Sequence, residues 1–267
     1  MKLDPTRHYR MPLIMGPLFD KTDCPSFLYP EADVLAYQYL TDEGAIEALL
    51  PESFWPGKEP IVTVFFSEYN GLEFMAGGGY RTATYQVGAS YEGEEDEIEG
   101  DFILVMFENQ TWPILGGRED LGVPKLHADI SPIRLLGDGH VRVDASMWGH
   151  HLFHLDVFGL RSQSALVRTV ASRRINARPW LGYKYIPSLD GPPDADYATL
   201  TQNDTKLKKL WIGKTASVHI GHAGAEDIGY ARPLLDALDS LAVRKPVQCL
   251  RFQGSSLLRY DRSRRLR

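Results

Sequence analysis

A chain of 267 residues with 43% apolar and 24% charged side chains carries enough apolar mass for a sizeable core, arranged as one large domain or two small ones. Its formal charge of −6 argues against a general nucleic-acid surface, and no apolar run approaches the ~18 residues of a membrane span. Cys24 and Cys249 are few and far apart, which fits reduced thiols in a cytoplasmic protein, and no apolar stretch follows Lys2, Arg7 and Arg10, so no signal peptide is expected.

Residues 1–30 carry Pro5, Pro12, Pro17, Pro25 and Pro30 and read as an extended N-terminal arm. Proline disfavours regular helix and central strand, which makes the arm a reasonable intersubunit element. A strand is expected at 34–40, then a short helix from Thr41 to Leu50, stopped by Pro51. Residues 61–66 are β-branched and aromatic, a buried-strand run. Gly77-Gly78-Gly79 bends the chain before a strand at 80–90, and 102–107 is a further apolar strand. Between these two, seven acids from Glu92 to Asp101 read as a solvated hairpin loop.

Gly137-Asp138-Gly139 separates strands at 133–136 and 141–145, a strong hairpin signal. His150, His151 and His154 lie among Leu152, Phe153 and Leu155, more like strand than helix, and no cysteine or convincing set of acidic ligands accompanies them. No metal site is therefore expected. Strands follow at 216–220 and 247–252, separated by a helix at 231–241 with Leu234, Leu235, Leu238 and Leu241 at helical spacing. The basic tail Arg262-Ser263-Arg264-Arg265 reads as solvated or frayed. Many strands at short intervals, with no repeat and no linker, predict a mainly β (α+β) fold of one domain over 1–267. The sheet is expected to be curved or closed, a mixed or antiparallel barrel with a few peripheral helices.

The chemistry concentrates at residues 117–126, Gly-Arg-Glu-Asp-Leu-Gly-Val-Pro-Lys-Leu. One lysine there follows a proline in an apolar setting, downstream of an Arg-Glu pair. An ordinary lysine is an ammonium at neutral pH, with a pKa of about 10.4. A dry environment disfavours that charge, and a neutral amine attacks ketones to form a Schiff base.

The segment resembles the acetoacetate decarboxylase-like superfamily, whose pattern reads Gly-Arg-Glu, a four-residue spacer, then Pro-Lys. Tyr39-Leu40-Thr41-Asp42, Leu49-Leu50-Pro51-Glu52, Gly100 to Asn109, Arg178-Pro179, Tyr183-Lys184, Ile186-Pro187 and Asp190-Gly191-Pro192-Pro193 fall in the family's order. The resemblance implies a β-barrel, a homo-oligomer, a keto acid or ketone as partner and no cofactor. It places the Schiff-base lysine on Lys125, with Arg118 and Glu119 beside it in catalytic roles.

Leu126 stands where the family often has a second lysine, Thr82 and Phe65 where it has acids, and Ala32 where it has an arginine; Glu68 is a nearby acid. Leu126, Phe65, Thr82, Trp112 and Glu68 are the expected substrate-binding residues. Leu126, Val123, Ile114, Leu115 and Trp112 would supply the dry surroundings that replace a cationic neighbour. The expected function is a Schiff-base-forming lyase acting on a keto acid, decarboxylase-like or aldolase/dehydratase-like, with weak turnover of acetoacetate itself. A non-covalent binding protein, isomerase or cyclase that keeps the barrel without the imine is the alternative.

Overall fold

The computed structural model describes residues 2–267. Seven strands close into a ring, in the order Tyr80–Glu92, Ile61–Asn70, Phe27–Leu40, Lys245–Arg265, Ala195–Ile212, Trp180–Ile186 and Glu97–Glu108, the last pairing back onto the first. An odd ring cannot alternate direction throughout, so at least one contact must be parallel. It is the contact between Trp180–Ile186 and Glu97–Glu108, where Trp180 lies opposite Asp101. The second half of Glu97–Glu108 then pairs, again in parallel, with the short strand Lys125–His127, placing Lys125 opposite Met106. The sharing of one strand edge between two parallel partners brings the lysine segment to the barrel wall.

A second, five-stranded sheet contains Arg134–Gly137, His140–Met147, His150–Phe158 and Thr215–Ile220, all antiparallel. It covers part of the outside of the ring. Phe153 sits at the centre of that contact, its ring centroid 5.0–5.8 Å from those of Tyr85, Phe66 and Phe107. Burying aromatic rings of this size supplies most of the attraction between the layers. Gly137, Asp138 and Gly139 have φ of 94°, 49° and 71°. Glycine adopts such values without a side-chain clash and aspartate tolerates the left-handed region better than most residues, which is why this tripeptide turns the chain.

Several boundaries differ from the sequence reading. The strand expected at 34–40 begins at Phe27, inside the arm, and the helix expected from Thr41 to Leu50 is only Glu43–Glu47. The rest of the arm folds on its own chain: Arg7–His8 pairs with Phe19–Asp20, and His8 and Arg10 bind the Asp120 carboxylate at 3.0 and 2.9 Å. The basic tail is not frayed. It is the end of the 21-residue strand Lys245–Arg265, and Arg264 holds Asp96 in the hairpin loop between Tyr80–Glu92 and Glu97–Glu108 at 2.7 Å.

Candidate active site

The ring encloses a cavity of about 840 Å³, within the range of small-molecule sites. Alternation dictates its lining. Side chains of a strand point to opposite faces in turn, so Val34 and Ala36, Phe65 and Ser67, and Thr82 face inward while Leu35, Phe66 and Ala83 pack outward into the main core. Val34, Phe65, Met106, Val123, Leu250 and Phe252 form a separate apolar cluster on the cavity side. The helix Ala165–Asn176 lies along Ala195–Ile212, fixed by Asn176, which exchanges hydrogen bonds with the Thr205 backbone at 2.7 and 3.1 Å. It adds Val170, Ala171 and Ile175 to the wall.

Lys125 lies on this wall, 8% exposed. The chain reaches it through a one-turn π-helix, Gly117–Leu121, ended by Gly122 at φ 73°. Gly122 packs so closely on Lys184 that an added Cβ would come within 2.6 Å of the Lys184 Cβ. Gly117 has the stronger constraint: a Cβ there would sit 2.3 Å from Lys125 Cε and 2.8 Å from Nζ. The glycine of the Gly-Arg-Glu motif is thus the groove in which the lysine stem lies.

The lysine ammonium has two partners. Nζ donates to the Pro113 carbonyl oxygen at 3.0 Å and lies 2.8 Å from Glu108 Oε1. Glu108 is completely buried, and among the described residues no other protein group donates to its carboxylate. Burial raises its pKa above the usual glutamate value, with Lys125 opposing that shift through its charge and hydrogen bond.

Beyond Glu108 stand three tyrosines on the same wall, packed edge-on or tilted against one another. The ring centroids of Tyr29, Tyr69 and Tyr80 are 4.9–6.2 Å apart, and Tyr80 donates to Tyr29 Oη at 3.1 Å. Burial pushes the Tyr69 phenol up to about 12, with the Glu108 charge adding to the effect. All three burials act in that direction, so the hydroxyls stay protonated and remain donors. Ser67 Oγ, Thr82 Oγ1 and Gln86 Oε1 are buried on this wall without a hydrogen-bond partner among the described residues. Such atoms are costly unless a ligand or water satisfies them.

The expected site residues divide. Lys125, Phe65 and Thr82 line the cavity together. Arg118 does not reach into it: Nη1 donates to the Lys125 carbonyl oxygen at 3.0 Å and fixes the backbone of the lysine strand. Glu119 contributes its backbone carbonyl, which accepts from Lys184 Nζ, and its side chain is off the cavity wall. Glu68 alternates outward and pairs with Arg81 at 2.6 Å. Trp112 is 49% exposed, and Leu126, next to Lys125 on a strand, points the other way and is 36% exposed. The expectation that Leu126 and Trp112 keep the lysine dry is therefore corrected; Val123 alone of that group lines the cavity.

Glu108 and the tyrosines were not anticipated. The signal for Glu108 was an acid closing the apolar run Phe102–Phe107, at a position where strand alternation turns it inward. The tyrosines carried no such signal, since buried tyrosine is common in cores.

The model of the acetoacetate decarboxylase family matches residues 10–262. The acetoacetate decarboxylase of Paraburkholderia xenovorans is 29% identical over 218 residues, covering 78% of this chain and 77% of that protein. Acetoacetate decarboxylase 1 of Bradyrhizobium diazoefficiens is 27% identical over 262 residues, 97% and 94% of the two chains. Among solved structures, the acetoacetate decarboxylase of Legionella pneumophila superposes with a TM-score of 0.73 at 21% identity, covering 100% of this chain and 98% of that one. The enduracididine biosynthesis enzyme MppR, in complex with pyruvate, gives 0.74 at 15% identity, covering 99% of each. The likeness to these solved structures is one of fold, mainly β with few helices. The chain belongs to the acetoacetate decarboxylase family.

Proposed function

We propose that this protein is a Schiff-base-forming lyase that acts on a small keto acid through an imine on Lys125. The observation that carries the reading is the buried contact between Lys125 Nζ and Glu108 Oε1 at 2.8 Å on the cavity wall. A carboxylate there can take one proton from the ammonium, leaving a neutral amine and a neutral acid. The amine nitrogen attacks the carbonyl carbon, and the oxygen takes up the proton that the nitrogen then sheds, giving a neutral carbinolamine. Glu108 returns its proton as water departs from the carbinolamine, and a protonated imine remains. That imine accepts the electron pair released when a C–C bond breaks or an α-proton leaves, and water later hydrolyses it to regenerate the lysine. Glu108, kept basic by burial, is suited to shuttle the proton in both directions.

The groups around the amine favour some keto acids over others. Ala32, Phe65 and Thr82 line the cavity as neutral groups, and Glu108 adds a negative charge beside the lysine. Ala32, Phe65, Thr82 and Leu126 stand where charged groups that handle the acetoacetate carboxylate are expected, so turnover of acetoacetate itself should be slow. The partnerless Ser67 and Thr82 hydroxyls suit hydroxyl- or carbonyl-bearing substrates of the aldol and dehydration type, and MppR was captured with pyruvate. Borohydride reduction in the presence of pyruvate and longer keto acids, followed by peptide mass mapping, tests the assignment. The expected result is a reduced adduct on Lys125 that is absent from Lys125→Ala.

A further inference from the structure

The second sheet carries a feature that the cavity does not use. On its outer face the residues Asp144, His154 and His219 stand in one row across three adjacent strands: Asp144 opposite His154, and His154 opposite His219. A further acidic residue, Asp156, lies two positions along the same strand from His154 and so on the same face, and His219 comes from the neighbouring strand. We propose that His154, Asp156 and His219 form a binding site for a divalent transition-metal ion of the zinc class. None of the three lies on the cavity wall.

One candidate ligand atom from each of these residues lies within 4.8 Å of the others. Zinc bonds of 2.0–2.1 Å in tetrahedral geometry need donors about 3.3 Å apart, so the exposed His219 ring must turn toward the other two ligands on binding. His154 Nε2 is already 3.3 Å from Asp156 Oδ2. Each of these two ligands also has the supporting partner that metal sites use to orient donors. His154 Nδ1 lies 3.0 Å from His151 Nε2, so a proton on Nδ1 leaves the Nε2 lone pair free. Asp156 engages His140 Nε2 through its other oxygen, Oδ1, at 2.5 Å, and the His140 ring is stacked on Phe158 at 4.3 Å.

The alternative trio of Asp144, His151 and His154 is disfavoured, because Asp144 is already neutralised by Arg134 and by Arg142 Nε, the latter at 3.1 Å. Arg142 Nη1 is also 3.7 Å from Asp156 Oδ2. A metal ion displaces that loose contact and leaves Arg142 on Asp144. Three protein ligands, with His219 exposed, leave the fourth position to water.

The test is calorimetric titration of the full-length, tag-free, chelator-stripped protein with Zn²⁺, with Co²⁺ as a spectroscopic probe of coordination. One ion per chain is expected. His219→Ala, at an exposed position, and His154→Gln should each weaken binding at least ~10-fold, while His140→Ala and His151→Ala weaken it by about 10–100-fold as supporting groups do. Asp144→Asn should leave the affinity within a few-fold. No saturable binding, or binding indifferent to both His219→Ala and His154→Gln, overturns the proposal. Dependence on Asp144 in place of Asp156 overturns the choice of ligands. Borohydride trapping on Lys125 should be the same in all these variants, so failure of the metal site and failure of the imine chemistry are read separately.

Discussion

At the scale of single residues, the pair Lys125–Glu108 is kept in spite of its cost. Removing two charges from water is expensive, and their attraction in a dry interior repays it only in part. Glu108→Leu should therefore destabilise the fold by about 3–5 kcal/mol, because it leaves the ammonium buried alone, whereas Glu108→Leu combined with Lys125→Met should be neutral or stabilising by up to ~4 kcal/mol. Denaturant titration of the two variants checks this. Catalysis should respond in the opposite sense. Glu108→Gln keeps the shape but cannot accept a proton, and the rate of imine formation should drop by about 10²–10⁴.

In the wild-type protein the acid limb of the rate profile should lie above the ordinary carboxylate range. As pH falls through the raised pKa of Glu108, the carboxylate is protonated, no longer accepts the lysine proton, and activity is lost. A limb at ordinary carboxylate values, or one that persists in Glu108→Gln, assigns the limb elsewhere. Gly117 gives a cleaner probe of position. Its φ of −65° suits alanine, but the added Cβ occupies the groove of the Lys125 stem. Gly117→Ala should lower stability by about 1–3 kcal/mol, as overpacking does, and lose about 10²-fold in imine formation, the usual result of a displacement near 1 Å.

At the scale of elements, the strand Lys245–Arg265 ends in a clamp. Arg264 grips the Asp96 carboxylate, and the Arg267 amide donates to it at 3.0 Å. These bonds, the side-chain one first, hold Asp96 at about 2, below its ordinary 3.8. A carboxylate with a depressed pKa contributes stability above its unfolded value and loses it as pH falls through the folded one. Wild-type stability should thus fall between about pH 4 and 2 more steeply than that of Asp96→Asn. Equal slopes in acid denaturation would remove the clamp from the account.

The strands that escaped the sequence reading have a common physical reason. Ala195–Ile212 turns Asn203 and Thr205 toward the cavity and carries Lys206, Lys208 and Lys209 nearby, so neither face shows the apolar alternation of a half-buried strand. The helix Ala165–Asn176 buries no residue fully, which blurred its periodicity, although Ser164, whose Oγ accepts from the Val167 amide at 3.4 Å, marked its start. Ile61–Asn70 and the turn at Gly137–Gly139 were legible, because a β-branched, aromatic run and a glycine pair at positive φ have few other uses.

At the scale of the whole molecule, closure of the barrel was not legible from periodicity. The ring depends on Asp101 meeting Trp180 and on the first long strand meeting the last, contacts that no local pattern encodes. Lys125 was legible because the Gly-Arg-Glu and Pro-Lys elements sit at a fixed spacing. Its partner Glu108 was not, because the pairing of Met106 with Lys125 that aligns the two strands is a tertiary fact. The same closure isolates the lysine from bulk water and aims partnerless hydroxyls at the cavity, the setting in which an imine can act as an electron sink.

The central claim is that this lysine is a nucleophile. It is tested most directly by incubating the folded protein with pyruvate and a series of longer keto acids, reducing with borohydride, and locating the adduct by peptide mass mapping. The account predicts one reduced adduct, on Lys125, strongly diminished in Glu108→Gln and absent from Lys125→Ala. A folded protein that gives no adduct across the series, or gives it equally on surface lysines and in Lys125→Ala, would contradict it.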